Sequence, residues 1–392
     1  MKLPGIHRHY YLGMAVNHAS GEWLKYLFTV GKRKDYDALT RYLSKRYKGE
    51  AILCKNGRSA LAIALKTYFK PGDKMLVNGF TCFAVYEAIK AAQLEPVFID
   101  IDKKTLNYNI DTLARAIASE SRVHGIIVQN TLGNPVDIKA IEKFANEYNL
   151  TIIEDLAHCA GVRYPDRREV GTVGAACILS FGKDKSVDTV SGGAVVLRGN
   201  REKAASVDEN EQPSLESSNN IPSKLPRLSD HLRARFYPMF GAMSRVLTYI
   251  GLGGALMRGL VAIHWVEKSA DNKLDLKRRP SKFEAKLALR QLKELRKNGE
   301  PPLRDFCYVH DREKLLKELQ KNGYYFGGFW YERPISPERY YEKVHFPESD
   351  CPNAVYAAKH IINLPNYYTC RDLTLAREVI KKYQEEGFDE SK

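Results

Sequence analysis

Residues 151–161 read TIIEDLAHCAG, and residues 176–197 read ACILSFGKDKSVDTVSGGAVVL. Each begins as a short apolar, β-branched run and then breaks into polar side chains. Asp155 and His158 follow the first run; Ser180, Lys183 and Lys185 follow the second, and the pair Gly192-Gly193 opens the next. Working outward, further runs of this kind stand at 51–54, 75–78, 97–101 and 125–129, with others at 151–154 and 194–197. Helix-period stretches lie between most of them, at 59–69, 83–93 and 137–148. Continuous apolar strands alternating with helices predict an α/β fold, a mostly parallel sheet covered on both faces. Such sheets bind ligands on the loops beyond the carboxyl ends of the strands. That is where these polar residues fall.

Composition narrows the class of protein. The 392 residues are 44% hydrophobic and 28% charged, which excludes a mostly disordered or fibrous chain. Sixty-one Lys and Arg against 47 Asp and Glu give a net charge of +14. That sign attracts polyanions, whether nucleic acid, an anionic membrane or a phosphorylated small molecule. No basic stripe interleaved with aromatics and no helix-turn-helix pattern is visible, so nucleic acid is not the expected partner. The seven cysteines show neither Cys-x-x-Cys nor zinc-ligand spacing. They read as reduced, buried thiols, and no metal site is expected. The first residues lack the apolar core of a signal peptide, so a cytoplasmic location is expected.

Four divisions follow. Residues 1–34 form an N-terminal extension and 35–205 a large domain carrying the strands. Residues 206–280 read as a flexible linker with an apolar helical insertion, and 281–392 as a smaller C-terminal α+β domain. The linker SVDENEQPSLESSNNIPSKLPRLSDH (206–231) is polar and holds Pro213, Pro222 and Pro226. The insertion VLTYIGLGGALMRGLVAIHW (246–265) is long enough to span a bilayer, but Arg258 near its middle would cost about 2.5–3.5 kcal/mol, so spanning is not expected. It is either a buried helical hairpin or subunit contact, or a segment docking shallowly on an anionic membrane beside Arg233, Arg235 and Arg245.

The chemistry gathers at strand ends. Asn56-Gly57-Arg58-Ser59 is a glycine turn entering a helix, which presents backbone N–H groups and the positive dipole end to a phosphate. Taken alone, Ser59 reads equally as a helix cap. Asp155 suits a metal, a base, a partner for a protonated ring nitrogen, or a simple cap, and His158 lies three residues on. Lys185 follows a buried strand, where desolvation favours the neutral, nucleophilic amine that forms a Schiff base with a carbonyl. Lys183 is its neighbouring rival. In chain order these give a phosphate turn, Asp-x-x-His, Ser-Phe-x-x-x-Lys, then Gly-Gly seven residues after the lysine. Together they describe a site for a phosphate-bearing aldehyde cofactor.

With NGRSALAIAL (56–65), GFTCFAVYEAI (79–89), EPVFIDID (95–102), NPVDIKAI (134–141), IIEDLAHCAG (152–161), LSFGKDK (179–185) and SGGAVVL (191–197), the sequence resembles the DegT/StrS family of fold-type-I sugar aminotransferases that use pyridoxal 5'-phosphate (PLP). CPNA (351–354) and IINLPN (361–366) resemble its C-terminal end. The resemblance implies that Lys185 bonds covalently to the cofactor and that Asp155 partners its pyridine nitrogen. By the same token His158 lies near the 3-oxygen, and Gly57, Arg58, Ser59 and Ser180 hold the phosphate. Phe83, one place on from Cys82, is the expected ring-stacking aromatic.

Relatives with histidine at the position of Lys185 dehydrate their substrates, so a lysine implies transamination. The expected reaction is ping-pong transfer from an amino-acid donor, glutamate in most relatives, to a nucleotide-linked keto-sugar in polysaccharide synthesis. The alternatives are another PLP reaction (a lyase or dehydratase) and a non-catalytic scaffold. A homodimer is implied, with no element around Arg279-Pro280-Ser281 assignable to the neighbouring subunit's site.

Overall fold

The computed structural model describes residues 10–12, 22–183, 185–199, 224, 273–298, 303–326, 329–365 and 370–385, with short pieces between 231 and 243. The segment 246–265 and nearly all of 206–272, with the expectations attached to them, lie outside the described residues.

The first part of the chain runs β1 (Tyr10–Leu12), α1 (Glu22–Phe28), α2 (Arg33–Tyr47), β2 (Glu50–Cys54), α3 (Gly57–Tyr68), β3 (Lys74–Asn78), β4 (Thr81–Cys82) and α4 (Phe83–Ala91). It continues through β5 (Glu95–Ile99), α5 (Ile110–Ser119), β6 (Val123–Val128), α6 (Ile138–Glu147), β7 (Thr151–Asp155), β8 (Ala176–Ser180) and β9 (Gly193–Leu197). After α7 (Lys282–Asn298) come β10 (Arg304–Tyr308), α8 (Arg312–Lys321), β11 (Tyr324–Phe326) and β12 (Ile335–Ser336). The described chain ends with α9 (Pro352–His360), β13 (Ile361–Pro365) and α10 (Cys370–Lys381).

Seven strands form the central sheet in the order β2-β9-β8-β7-β6-β3-β5. Only β9 runs against its neighbours, pairing antiparallel with both β2 and β8. The expected mostly parallel sheet is therefore present. Its inner strands are buried on both sides, which is why they read as apolar runs without alternation. One face packs on Tyr36, Leu39, Leu43 and Tyr47 of α2, Ile138 and Phe144 of α6, and Ala285, Ala288, Leu292 and Leu295 of α7. The other packs on Ala60–Leu65 of α3 and Val85, Ala88 and Ile89 of α4. The alanine-rich face of α3 lets that helix lie close beneath the sheet and holds its N-terminus at the strand ends.

Two boundaries differ from the sequence expectation. The stripe Ala285, Ala288, Leu292 and Leu295, at alternating three- and four-residue spacing, seats α7 against α2 in the large domain's core. Residues 10–12 pair in parallel with β11, so this piece of the N-terminal extension belongs to the C-terminal layer. That layer holds the β10–β13 antiparallel pair and the helices α8 and α10. It is fastened to the large domain by β12 pairing with β4 and by a shared core in which Phe80, Ile101, Leu106 and Leu132 meet Tyr308, Tyr331 and Ile335. Among the described residues, no helix is long and apolar enough to cross a membrane.

Candidate active site

Strands β7 and β8 are parallel neighbours, so their carboxyl ends bring Asp155 and Ser180 to one edge of the sheet. Asp155 is buried, and its Oδ1 accepts a hydrogen bond from Ala157 N at 2.9 Å. Burial pushes its carboxyl up to about 6, against the opposing pull of the Ala157 N–H and of Lys185. Lys185 is half-buried, with Nζ 4.5 Å from the centroid of the Trp330 ring. The loop that carries it is closed at its base by Phe181 N donating to Gly192 O at 2.9 Å and Thr189 N donating to Phe181 O at 3.0 Å. Gly192 has φ +107°, and a Cβ there would crowd Phe181 and Pro280, so the turn requires glycine.

His158 follows on the loop leaving β7. Leu132 N donates to its Nδ1 at 3.1 Å. A backbone N–H can only donate, so Nδ1 accepts, the ring proton sits on Nε2, and Nε2 donates to Tyr331 Oη at 3.3 Å. Burial, with the charges of Lys185 and Arg304, holds the imidazole well below its ordinary pKa. His158 is therefore neutral with both nitrogens engaged, and its ring stacks on Trp330 at 4.8 Å.

The glycine turn closes the site from below. Asn56, not Ser59, caps α3, its Oδ1 accepting from Ser59 N at 2.8 Å. The Ser59 hydroxyl accepts from Asp275 N at 3.0 Å. A Cβ on Gly57 would lie 2.7 Å from Ser180 Cβ and 3.0 Å from its Oγ, so only glycine lets the helix N-terminus approach the Ser180 hydroxyl this closely. Arg58 departs from the expectation for its side chain. Its buried guanidinium pairs with Glu87 of α4, which leaves its backbone N–H as the group offered to the turn.

Three residues that sequence reading missed complete the site, all from the C-terminal layer. Trp330 stacks on His158 and lies under Lys185, Tyr331 accepts from His158, and the Arg304 guanidinium sits 4.2 Å from the Trp330 centroid. Phe83, expected to stack on a cofactor ring, instead packs face to face with Tyr340 at 4.4 Å. The aromatic run FWY at 329–331, beside a site rich in strand-end polar groups, is the signal that could have pointed to Trp330.

Fold and site together define a class: an α/β protein with a lysine and a buried aspartate at the carboxyl end of its sheet, over a helix N-terminus. Within that class, residues 29–209 match the model of the DegT/DnrJ/EryC1/StrS aminotransferase family. Over 172 residues the chain is 30% identical to the UDP-2-acetamido-2-deoxy-3-oxo-D-glucuronate aminotransferase of Pseudomonas aeruginosa, covering 44% of this chain and 46% of that protein. It is also 30% identical over 179 residues to the GDP-4-keto-6-deoxy-D-mannose 3-dehydratase of Yersinia pseudotuberculosis, covering 43% and 44%. The matched stretch thus spans somewhat less than half the length of these curated relatives. A solved DegT DnrJ EryC1 StrS aminotransferase from Brucella abortus superposes with a TM-score of 0.62 at 20% identity, covering 91% of this chain and 92% of that one. The fold is that of the fold-type-I PLP transferases.

Proposed function

We propose that the chain is a PLP-dependent aminotransferase that moves an amino group from an amino-acid donor, glutamate by preference, to a nucleotide-linked keto-sugar. The observation that carries this reading is the buried Asp155, whose carboxyl accepts a single hydrogen bond among the described residues and lies within the field of a lysine at the end of the sheet. A desolvated carboxylate with one backbone donor suits a cationic ring nitrogen, and the Gly57–Ser180 approach at a helix N-terminus suits a phosphate. The residues present therefore fit PLP. Lys185 would hold its aldehyde, Asp155 its ring nitrogen and His158 its 3-oxygen, and Ser180 with the N–H groups of Gly57, Arg58 and Ser59 its phosphate.

When bound, PLP supplies an aldehyde for amines and an electron sink for charge at the donor Cα. Asp155 would supply negative charge toward the ring nitrogen. Lys185 would serve as the base that takes the proton from the donor Cα and gives it back later in the cycle. His158, held neutral, adds no further positive charge beside Lys185. In the full cycle the donor leaves as its 2-oxo acid and the ketone carbon gains the amino group, so no external oxidant or reductant is needed. Lysine at 185, rather than histidine, favours transamination over the dehydration named for one relative.

Two measurements test the reading. Borohydride reduction of the PLP-treated full chain should label the peptide containing Lys185. Nucleotide keto-sugars incubated with glutamate should release 2-oxoglutarate. A chain that takes up no PLP, or labelling at Lys183 in place of Lys185, would overturn it.

A further inference from the structure

We propose that Arg304 is the anchor for a substrate carboxylate in this site, an inference that rests on the aminotransferase reading. Arg304 opens β10 and is only 2% exposed. One Nη donates to Asn363 Oδ1 at 3.3 Å, and the guanidinium lies 4.2 Å from the centroid of Trp330. Its buried Nε has no acceptor, and no carboxylate pairs with it, among the described residues. The adjacent Asp305 is engaged by Arg377 at 3.4 Å. A buried cation without a counter-charge is costly, and a donor stripped of water and left unbonded adds to that cost. Such a group is explained when a ligand brings the missing anion.

Geometry says which anion. Arg304 and Lys185 lie over one indole ring, at 4.2 and 4.5 Å from its centroid, and are therefore less than about 9 Å apart. An α-amino acid whose nitrogen reacts at the position of Lys185 carries its carboxylate about 3 Å away, and a further ~2.8 Å charge-assisted hydrogen bond reaches a guanidinium. The planar fork of arginine matches a carboxylate in two bonds, which lysine cannot do. Beneath it, Trp330 and Asn363 fix the fork's plane, since Asn363 Nδ2 also donates to Trp330 O at 2.8 Å. The carboxylate can belong to the amino-acid donor or to an acidic sugar acceptor, because a ping-pong site receives both in turn.

The test uses the full-length PLP-loaded protein. Single-turnover donor reactions compare glutamate with its α-amide and its γ-amide, and acceptor reactions compare nucleotide keto-sugars bearing a carboxylate or a methyl group at C6. Neutralising the recognised carboxylate should weaken wild-type binding about 10- to 100-fold with the limiting rate little changed. Arg304→Gln should lose that discrimination and Arg304→Lys regain part of it. Discrimination in the first arm assigns the donor's carboxylate, and in the second the acceptor's. Glutarate, which cannot react, should bind wild type but not Arg304→Gln by calorimetry.

If wild type treats every member of both series alike, or if Arg304→Gln binds glutarate as wild type does, the anchor is refuted. Should Arg304→Gln fail to fold, the wild-type series and Arg304→Lys decide. A protein that takes up no PLP refutes the parent reading instead, while glutarate calorimetry still reads the anchor.

Discussion

Glu154 and Asp155 are consecutive residues of β7, and the pleat sends them to opposite faces of the sheet. Both are buried. Glu154 is closed on every side: Oε1 accepts from Tyr164 Oη at 2.8 Å and Gly171 N at 2.7 Å, and Oε2 from Val173 N, Gly174 N and Arg198 Nη2 at 2.8, 2.7 and 3.1 Å. Asp155 accepts one hydrogen bond among the described residues, from Ala157 N. Burial with a complete set of donors marks a carboxylate that holds the fold together. Burial with the set left incomplete marks one that waits for a partner from solution. Four substitutions separate these two kinds of buried charge.

The largest effect is expected on the open face. Lys185→Ala should slow exchange of the donor Cα proton by about 10³-fold or more, read by deuterium wash-in to glutamate on the PLP-treated protein. Thermal stability should change little, because the side chain is half exposed and is not part of the core. Exchange persisting at the wild-type rate would remove the proposed proton carrier and with it the functional meaning of the open face.

Next comes the closed face, where the effect is on stability alone. Glu154→Gln keeps the shape but removes the charge that faces Arg198 and turns one oxygen into a donor aimed at N–H groups. Breaking a buried ion pair from one side costs about 3–5 kcal/mol, to be measured by urea denaturation of the cofactor-free protein. Lys185 reactivity in the surviving folded fraction should be unaltered. A loss below about 1 kcal/mol would mean that the five donors do not make a structural unit.

Asp155→Asn should act with the opposite sign. A carboxyl raised from 3.8 to about 6 in the folded state binds more protons folded than unfolded between those values. Stability of the cofactor-free protein therefore falls as pH rises from about 4 to about 6, and above 6 the cost is complete, up to about 3 kcal/mol. His158 acts the other way, since its lowered pKa costs stability as pH falls below its ordinary value. The difference between wild type and Asp155→Asn isolates the aspartate. The variant should be more stable than wild type above pH 6, equal to it near pH 4, and poorer at retaining PLP on dialysis. Equal stability at both pH values would show that Asp155 is not strained by burial.

The contrast also explains what the sequence could reveal. The strands and the helices between them are local periodicities, so the sheet is legible in the sequence alone. So could the strand-end residues Asp155, His158, Ser180 and Lys185, because a parallel sheet gathers its carboxyl ends wherever its crossovers lead. The partners of Glu154 could not, since they come from residues 164–198 folding back over one face, and an acidic residue within TIIED carries no sign of them. Arg304, Trp330 and Tyr331 were hidden for the same reason: they reach the site only when the C-terminal layer docks through Phe80, Leu132 and Ile335. Arg58 misled because a turn offers a phosphate its backbone, while a long side chain follows the nearest opposite charge, here Glu87.

The smallest effect tests whether the docked layer shapes the open face or merely covers it. Tyr331→Phe keeps the edge-on packing against Phe80 at 5.3 Å and removes only the hydroxyl that accepts from His158 Nε2 at 3.3 Å. Stranding one buried neutral donor costs about 1–3 kcal/mol, so stability should fall by no more than that. The imidazole proton then lacks its acceptor, while Leu132 N still holds Nδ1 and keeps the ring oriented. His158 should stay neutral, because burial and the nearby cations, not the hydroxyl, hold its pKa down. The amino-transfer rate should therefore drop only a few-fold, with its pH profile unmoved. A shifted profile would mean that the hydroxyl sets the charge state of His158, and that the C-terminal layer tunes the chemistry on this face as well as enclosing it.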